Sequence, residues 1–211
     1  LPDLLAGRGD IAAGNLTITP KRQALVDFTA AARKDVNEIV VTGPAAPPLE
    51  SLQDLAQVTI YVRESSSYSE HLRMLDENGM LGLKILAAAE TLEDEKLLDM
   101  VNAGILPLAI VDDHKARFWA QVYPHLTLRD DLVINRGGQT AWAVRKNSPL
   151  LLAELNEFGR KVGLRQGLIN MLGNRYLGSA ERLQNATSDS EMAYFDELID
   201  LFRKYGERYD F

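Results

Sequence analysis

The chain has 211 residues, 46% of them hydrophobic and 25% charged, which is enough apolar material for a folded core and argues against wholesale disorder. Its 30 Asp and Glu outweigh 23 Lys and Arg, for a net charge of −7, and no dense basic run is present, which argues against nucleic acid as the main partner. The absence of cysteine rules out a disulfide scaffold, thiol catalysis and Cys-ligated zinc or iron–sulfur, but assigns no compartment.

Leu1, Leu4 and Leu5 followed by Gly7 read as the end of an amphipathic helix with a glycine stop. So short a helix is marginal by itself, so the chain is expected to begin inside a domain. Asp10 to Gly14 reads as a short buried strand. Thr19-Pro20 offers an N-cap with proline at the first helical position, opening a helix through Leu25. Asn37 to Thr42 is apolar and β-branched, a second strand, and the proline-rich 43–48 is a connection.

An alternation then begins. Ser51–Leu55 is expected as a short helix, Val58–Val62 as a strand, and Ser66/Ser67 cap a helix to about Glu77 with Leu72 and Leu75 on its apolar side. Lys84–Ala88 is a strand, Thr91–Val101 a helix, Leu106–Val111 a strand and Asp113–Val122 a helix. This spacing implies a parallel sheet with helices on its faces. Leu132–Asn135 and Thr140–Val144 read as two strands separated by a Gly137-Gly138 turn. The longest apolar stretch, Ala103 to Val111, is broken by Gly104 and Pro107 and falls far short of the roughly 20 residues of a membrane helix.

Beyond that point the pattern is helical. Ser148-Pro149 opens a helix carrying Leu151, Leu152, Leu155 and Phe158, Gly163 breaks it, and a second helix runs to Tyr176. Ser179 to Asp189 is a polar linker, followed by a last helix with Phe195, Leu198, Ile199, Phe202 and Tyr205 on one face.

No constellation specifies a reaction. His71, His114 and His125 show no metal-ligand spacing, and no nucleophile elbow or phosphate-binding glycine loop is present, so no catalytic residue, metal or cofactor is expected. His71 is expected on an exposed helix face and His125 in a loop. The acidic run Glu90, Glu93, Asp94 and Glu95 reads as a helix N-terminus favoured by the helix dipole.

Three strand ends carry binding chemistry instead. In the first, Asn15 to Arg22, Thr17 offers a hydroxyl and Arg22 a fork for a carboxylate; equally, Thr17 caps a turn and Arg22 is solvated. In the second, Arg63 to Tyr68, Ser66 and Ser67 either gather N–H groups and hydroxyls for an anion or simply cap a helix. In the third, Asp112 either takes a ligand ammonium or caps the helix that follows. Together, an arginine, a nest of donors and a carboxylate at the carboxyl ends of strands suit a zwitterion such as an amino acid or a peptide end.

The run from Gly9 to Phe28 (GDIAAGNLTITPKRQALVDF) resembles the family-3 extracytoplasmic solute-binding proteins, whose run reads roughly D-[IL]-x-x-x-x-[MIL]-T-x-T-x-x-R-x-x-x-[VI]-D-F. Ala141 to Pro149, with Asn174 to Gly178, resembles their closing strand and terminal helices; Ala30-Ala31 departs from the family's usual aromatic pair. The resemblance implies an α/β, two-lobed type II periplasmic-binding-protein fold, crossed near Glu38–Val41 and Gln139–Ala143. It implies a first lobe of residues 1–39 and 141–178, truncated at its N-terminus, and a second lobe of residues 40–140. It also implies that Asn15 (through its backbone), Thr17 and Arg22 hold a ligand carboxylate. Ser66, Ser67 and Arg63 would add contacts from the second lobe, and Asp112 would take the ammonium.

The tail, ending LFRKYGERYDF, resembles the junction in two-module lytic murein transglycosylases, where a binding domain precedes a lysozyme-like enzyme domain. Residues 179–211 would then be a linker and the first helix of that enzyme domain, with the catalytic glutamate beyond Phe211. The implied function is a non-catalytic, periplasmic binding and regulatory module for an amino-acid-like or cell-wall peptide ligand, in a parent attached to a membrane, with the outer membrane the expected anchor. The alternative is a free-standing amino-acid receptor of an ABC transporter, which would be expected to stop soon after Gly178.

Overall fold

The computed structural model describes residues 1–79 and 81–163. The helices expected after Gly163, the polar linker and the C-terminal helix lie outside the described residues. In chain order the elements are α1 (Pro2–Leu5), β1 (Ile11–Thr17), α2 (Pro20–Leu25), β2 (Val26–Phe28) and β3 (Arg33–Thr42). A 3₁₀ turn (Leu52–Gln57), β4 (Thr59–Arg63), α3 (Ser67–Gly79), β5 (Lys84–Ala88) and α4 (Asp94–Asn102) follow. The last are β6 (Leu108–Asp112), α5 (Asp113–Trp119), β7 (Thr127–Arg145) and α6 (Pro149–Gly163).

Local chemistry explains several boundaries. Gly7, with φ +73°, sits just past α1 in the left-handed conformation that stops a helix. Thr19 Oγ1 accepts from Arg22 N at 3.3 Å and Pro20 fills the first position of α2. Ser66 Oγ accepts from Ser69 N at 3.2 Å at the start of α3.

The spine is β7, which pairs antiparallel with β1, β2 and β3. Its 140–145 end holds β1 and β2, while its earlier part runs beside β3, whose other edge carries β6 antiparallel. β4 and β5 form a separate parallel pair, with β4 lying beside β6.

Cores follow the two-residue period of the strands. On β3, Val40 packs with Leu55, Ile60, Leu72 and Ile110 on one face. Ile39 and Val41 pack with Leu97, Leu98 and Val101 on the other. A smaller cluster of Leu4, Val26 and Ala143 lies at the β1–β2 end. Two packed regions joined by β3 and β7 give the two-lobed outline, and both expected crossing segments lie in those strands.

Three expectations are corrected. The segments 132–135 and 140–144 are one strand of 19 residues, without a turn. Gly137 (φ +66°) lies within β7 where its register against β3 shifts, and Gly137 N donates to Asn37 Oδ1 at 3.1 Å. A Cβ on Gly138 would stand 3.0 Å from Val36 O, so the glycine pair marks a bulge with close backbone approach. The parallel sheet is confined to β4 and β5, because β6 bonds to β3, which runs the opposite way. The first strand is not buried: of β1 only Thr17 is, since β7 is its sole ladder partner among the described residues.

Candidate functional site

The strand ends converge. β1 delivers Asn15, Leu16 and Thr17, α2 delivers Arg22, the end of β4 delivers Arg63, and the α3 start delivers Ser66 and Ser67. With Asp112 at the end of β6, they line one cavity of about 160 Å³. All seven residues singled out in the sequence are therefore brought to a single cleft, where their surroundings define what each can do.

Arg22 is 8% exposed and spans the cleft. Its Nη1 donates to Thr17 O at 2.9 Å and its Nη2 to Ser65 O at 2.8 Å, while Nε stands 3.9 Å from Glu70 Oε1. Burial lowers its pKa from the usual arginine value, an effect that Glu70 and then Glu38 oppose. It is neither a solvated helix residue nor wholly free: its guanidinium keeps further N–H groups beyond the two committed to carbonyls.

Ser67 Oγ lies 2.8 Å from Glu38 Oε1 and 3.1 Å from Thr17 Oγ1. With one hydroxyl proton, given to the carboxylate, Ser67 accepts from Thr17. The second oxygen of Glu38 faces His71 Nδ1 at 2.6 Å. His71 is thus buried, not on an exposed face, because α3 spacing of four residues stacks it beside Ser67 toward β3. His125 is exposed in the turn before β7, as expected. Ser66 Oγ donates to Arg63 O at 2.6 Å, which closes the strand-to-helix turn.

The far wall is ionic. Arg63 donates from Nη2 to Asp94 Oδ1 at 2.9 Å and sets Nη1 2.8 Å from Glu93 Oε2. Lys115 Nζ donates to Asp94 Oδ2 at 2.7 Å and lies 3.1 Å from Asp112 Oδ2. Tyr68 OH donates to Asp94 Oδ2 at 3.1 Å and accepts from Lys115 Nζ and Asp112 N. Burial first, then Asp112 and Asp94, drive the Tyr68 hydroxyl well above its usual 10.0, so it remains a neutral donor. Asp112 does not cap α5 through its side chain; it is 1% exposed and its Oδ1 has no hydrogen-bond partner among the described residues.

The sequence pattern of the bacterial extracellular solute-binding proteins, family 3, matches residues 1–179. The chain belongs to that family.

Among curated relatives of this family-3 chain, the membrane-bound lytic murein transglycosylase F of Methylobacillus flagellatus is 28% identical over 207 residues, 97% of this chain and 42% of the relative. That of Desulfosudis oleivorans is 27% identical over 173 residues, 82% of this chain and 37% of the relative. The chain thus spans about two fifths of the length of these curated relatives. Among solved structures, a mutant arginine-binding protein from T. maritima superposes with a TM-score of 0.71 at 20% identity, covering 84% of this chain and 73% of that one. The substrate-binding protein of an amino acid ABC transporter gives 0.69 at 23% identity, covering 84% and 75%. These establish the two-lobed type II fold of periplasmic amino-acid-binding proteins.

The family-3 motif residues account for part of the cleft, and the rest carries weaker sequence signals. Glu38 is a lone charge in the apolar run of β3, on the face shared with Val40, and such an inward-pointing carboxylate is itself a signal. Lys115 stands three residues after Asp112, one helical turn on, and that spacing alone could have paired them. Asp94 reaches Arg63 from 31 residues away, a contact with no local sequence mark.

Proposed function

We propose that the chain is the non-catalytic solute-binding and regulatory module of a periplasmic peptidoglycan lytic transglycosylase. In this reading residues 1–39 and 141–178 form one lobe, 40–140 the other, and 179–211 lead into the domain that follows. A small amino-acid-like or cell-wall peptide ligand sits between them, and closure signals to an enzyme domain that follows in the same protein. The parent protein is attached to a membrane, with the outer membrane as the anchor.

The observation that carries the reading is the pairing of Arg22 with Asp112 across one small cavity. One is a guanidinium with N–H groups to spare, the other a buried carboxylate with an unmatched oxygen. Such a pair is built for a molecule with an anionic end and a hydrogen-bond donor. The enzyme context is supported by the Methylobacillus flagellatus relative, whose match covers 97% of this chain and so continues beyond residue 179. A free-standing amino-acid receptor of an ABC transporter is the second reading, favoured by the likeness in fold to the substrate-binding protein of an amino acid ABC transporter.

The test is isothermal titration of amino acids, N-acylated amino acids and muropeptides into the 211-residue chain. A member of the panel is expected to bind, and Arg22→Ala or Asp112→Ala to weaken it by about tenfold to a hundredfold, as loss of a charge-assisted hydrogen bond predicts. No binding by any member, or binding untouched by both substitutions, would sink the assignment.

A further inference from the structure

Lys115 stands where a ligand ammonium would be expected to go. Its Nζ lies 3.1 Å from Asp112 Oδ2 and 2.7 Å from Asp94 Oδ2, and it donates to Tyr68 OH at 3.1 Å. Asp94 is further matched by Arg63 at 2.9 Å. The carboxylates of this wall already have cations supplied by the chain. An arriving ammonium would share Asp112 with Lys115, and two like charges a few ångströms apart in a half-enclosed cleft repel strongly. Asp112 Oδ1 nevertheless remains a buried acceptor with no partner among the described residues. A buried acceptor left unmatched is costly, so the site is built to receive an N–H. The donor that satisfies Oδ1 without adding charge is a neutral amide.

We propose that the cleft selects an N-acylated α-amino acid, such as the C-terminal residue of a peptide, over a free amino acid. The inference rests on the solute-binding reading above and names its ligand class. The ligand carboxylate meets the uncommitted N–H groups of Arg22, and the amide N–H on the same α-carbon donates to Asp112 Oδ1. A cavity of about 160 Å³ is small, which suits one small residue and its preceding amide.

Alanine and N-acetylalanine share a carboxylate and a side chain and differ only at nitrogen, so they isolate this point. Both, in L and D forms, are titrated into the 211-residue chain at pH 7. N-acetylalanine of at least one hand is expected to bind about tenfold or more tightly than the matching free alanine, the scale of a like-charge penalty in a partly screened site. Lys115→Met removes the competing cation and keeps Asp112, and is expected to narrow or reverse that preference. Where this variant does not fold, judged by its thermal melt, the wild-type pair of ligands decides alone. Free alanine binding as tightly as its acetylated form overturns the inference and leaves the solute-binding reading in place. A folded Lys115→Met with an unchanged preference also overturns it, by removing Lys115 as the cause. Silence of all four ligands and of the wider titration panel removes both readings.

Discussion

Asp94 accepts from Arg63, Tyr68 and Lys115 at once. Burial alone would raise its carboxyl, but Lys115, then Arg63 and Tyr68, more than reverse this and hold it below the usual 3.8. Lys115 is the mirror case: burial would lower it, and Asp112 and Asp94 instead lift it above 10.5. A carboxyl lowered by folding stabilises above its unfolded value, and that stability is lost as pH falls through the folded one. A lysine raised by folding stabilises below its unfolded value, and that stability is lost as pH rises through the folded one. The cluster therefore contributes fully between about pH 3.8 and 10.5 and fades on both sides. Urea unfolding across pH is expected to show both limbs, with the acid limb flattened in Asp94→Asn; an identical acid limb in that variant would show that Asp94 is not its source. At this scale the convergence of the strand-end residues on one cavity was legible, because each follows the carboxyl end of a strand. The ion cluster was not, because Asp94 reaches the wall only through the tertiary packing of α4.

At the scale of elements, the end of β3 and the end of α4 approach closely at Gly43. A Cβ on Gly43 would stand 2.1 Å from Val101 O, and Val101 belongs to the core that also holds Leu98. Gly43→Ala is expected to lower unfolding stability by about 1–3 kcal/mol through overpacking, read from the urea midpoint. Leu98→Ala, at a fully buried position, is expected to cost about 2–5 kcal/mol by leaving a cavity. A wild-type midpoint for Gly43→Ala would mean that α4 shifts freely against β3. Element types were largely legible from periodicity and caps: Lys84–Ala88 has the expected limits, and Thr19-Pro20 starts α2 as read. Pairing was less so. Gly137-Gly138 carries the same local signal for a turn and for a bulge, and only a partner strand alongside decides between them. Strand–helix–strand spacing likewise gives no sign that β6 would bond to β3 rather than extend a parallel sheet.

At the scale of the whole molecule, β7 is the piece that every other strand of the larger sheet waits for, except the β3–β6 pair. Asn37 meets Gly137 100 residues on, and Asp10 meets Arg145 135 residues on. Contacts of such separation form late, since the loop between them must be ordered first. The β4–β5 pair and its helices can fold within that loop, whereas β1 and β2 have no ladder partner other than β7 among the described residues. Pulse-labelled hydrogen exchange during refolding is expected to protect β4 and β5 before β1 and β2; early protection of β1 would refute this order. In synthesis from the N-terminus at about 5–20 residues per second, β1 then stands as a bare strand edge for on the order of ten seconds. During that interval its unpaired N–H and C=O groups are open to any other extended chain. The strand that completes the sheet also ends this exposure, so the nascent chain is most prone to aggregate just before Arg145 emerges.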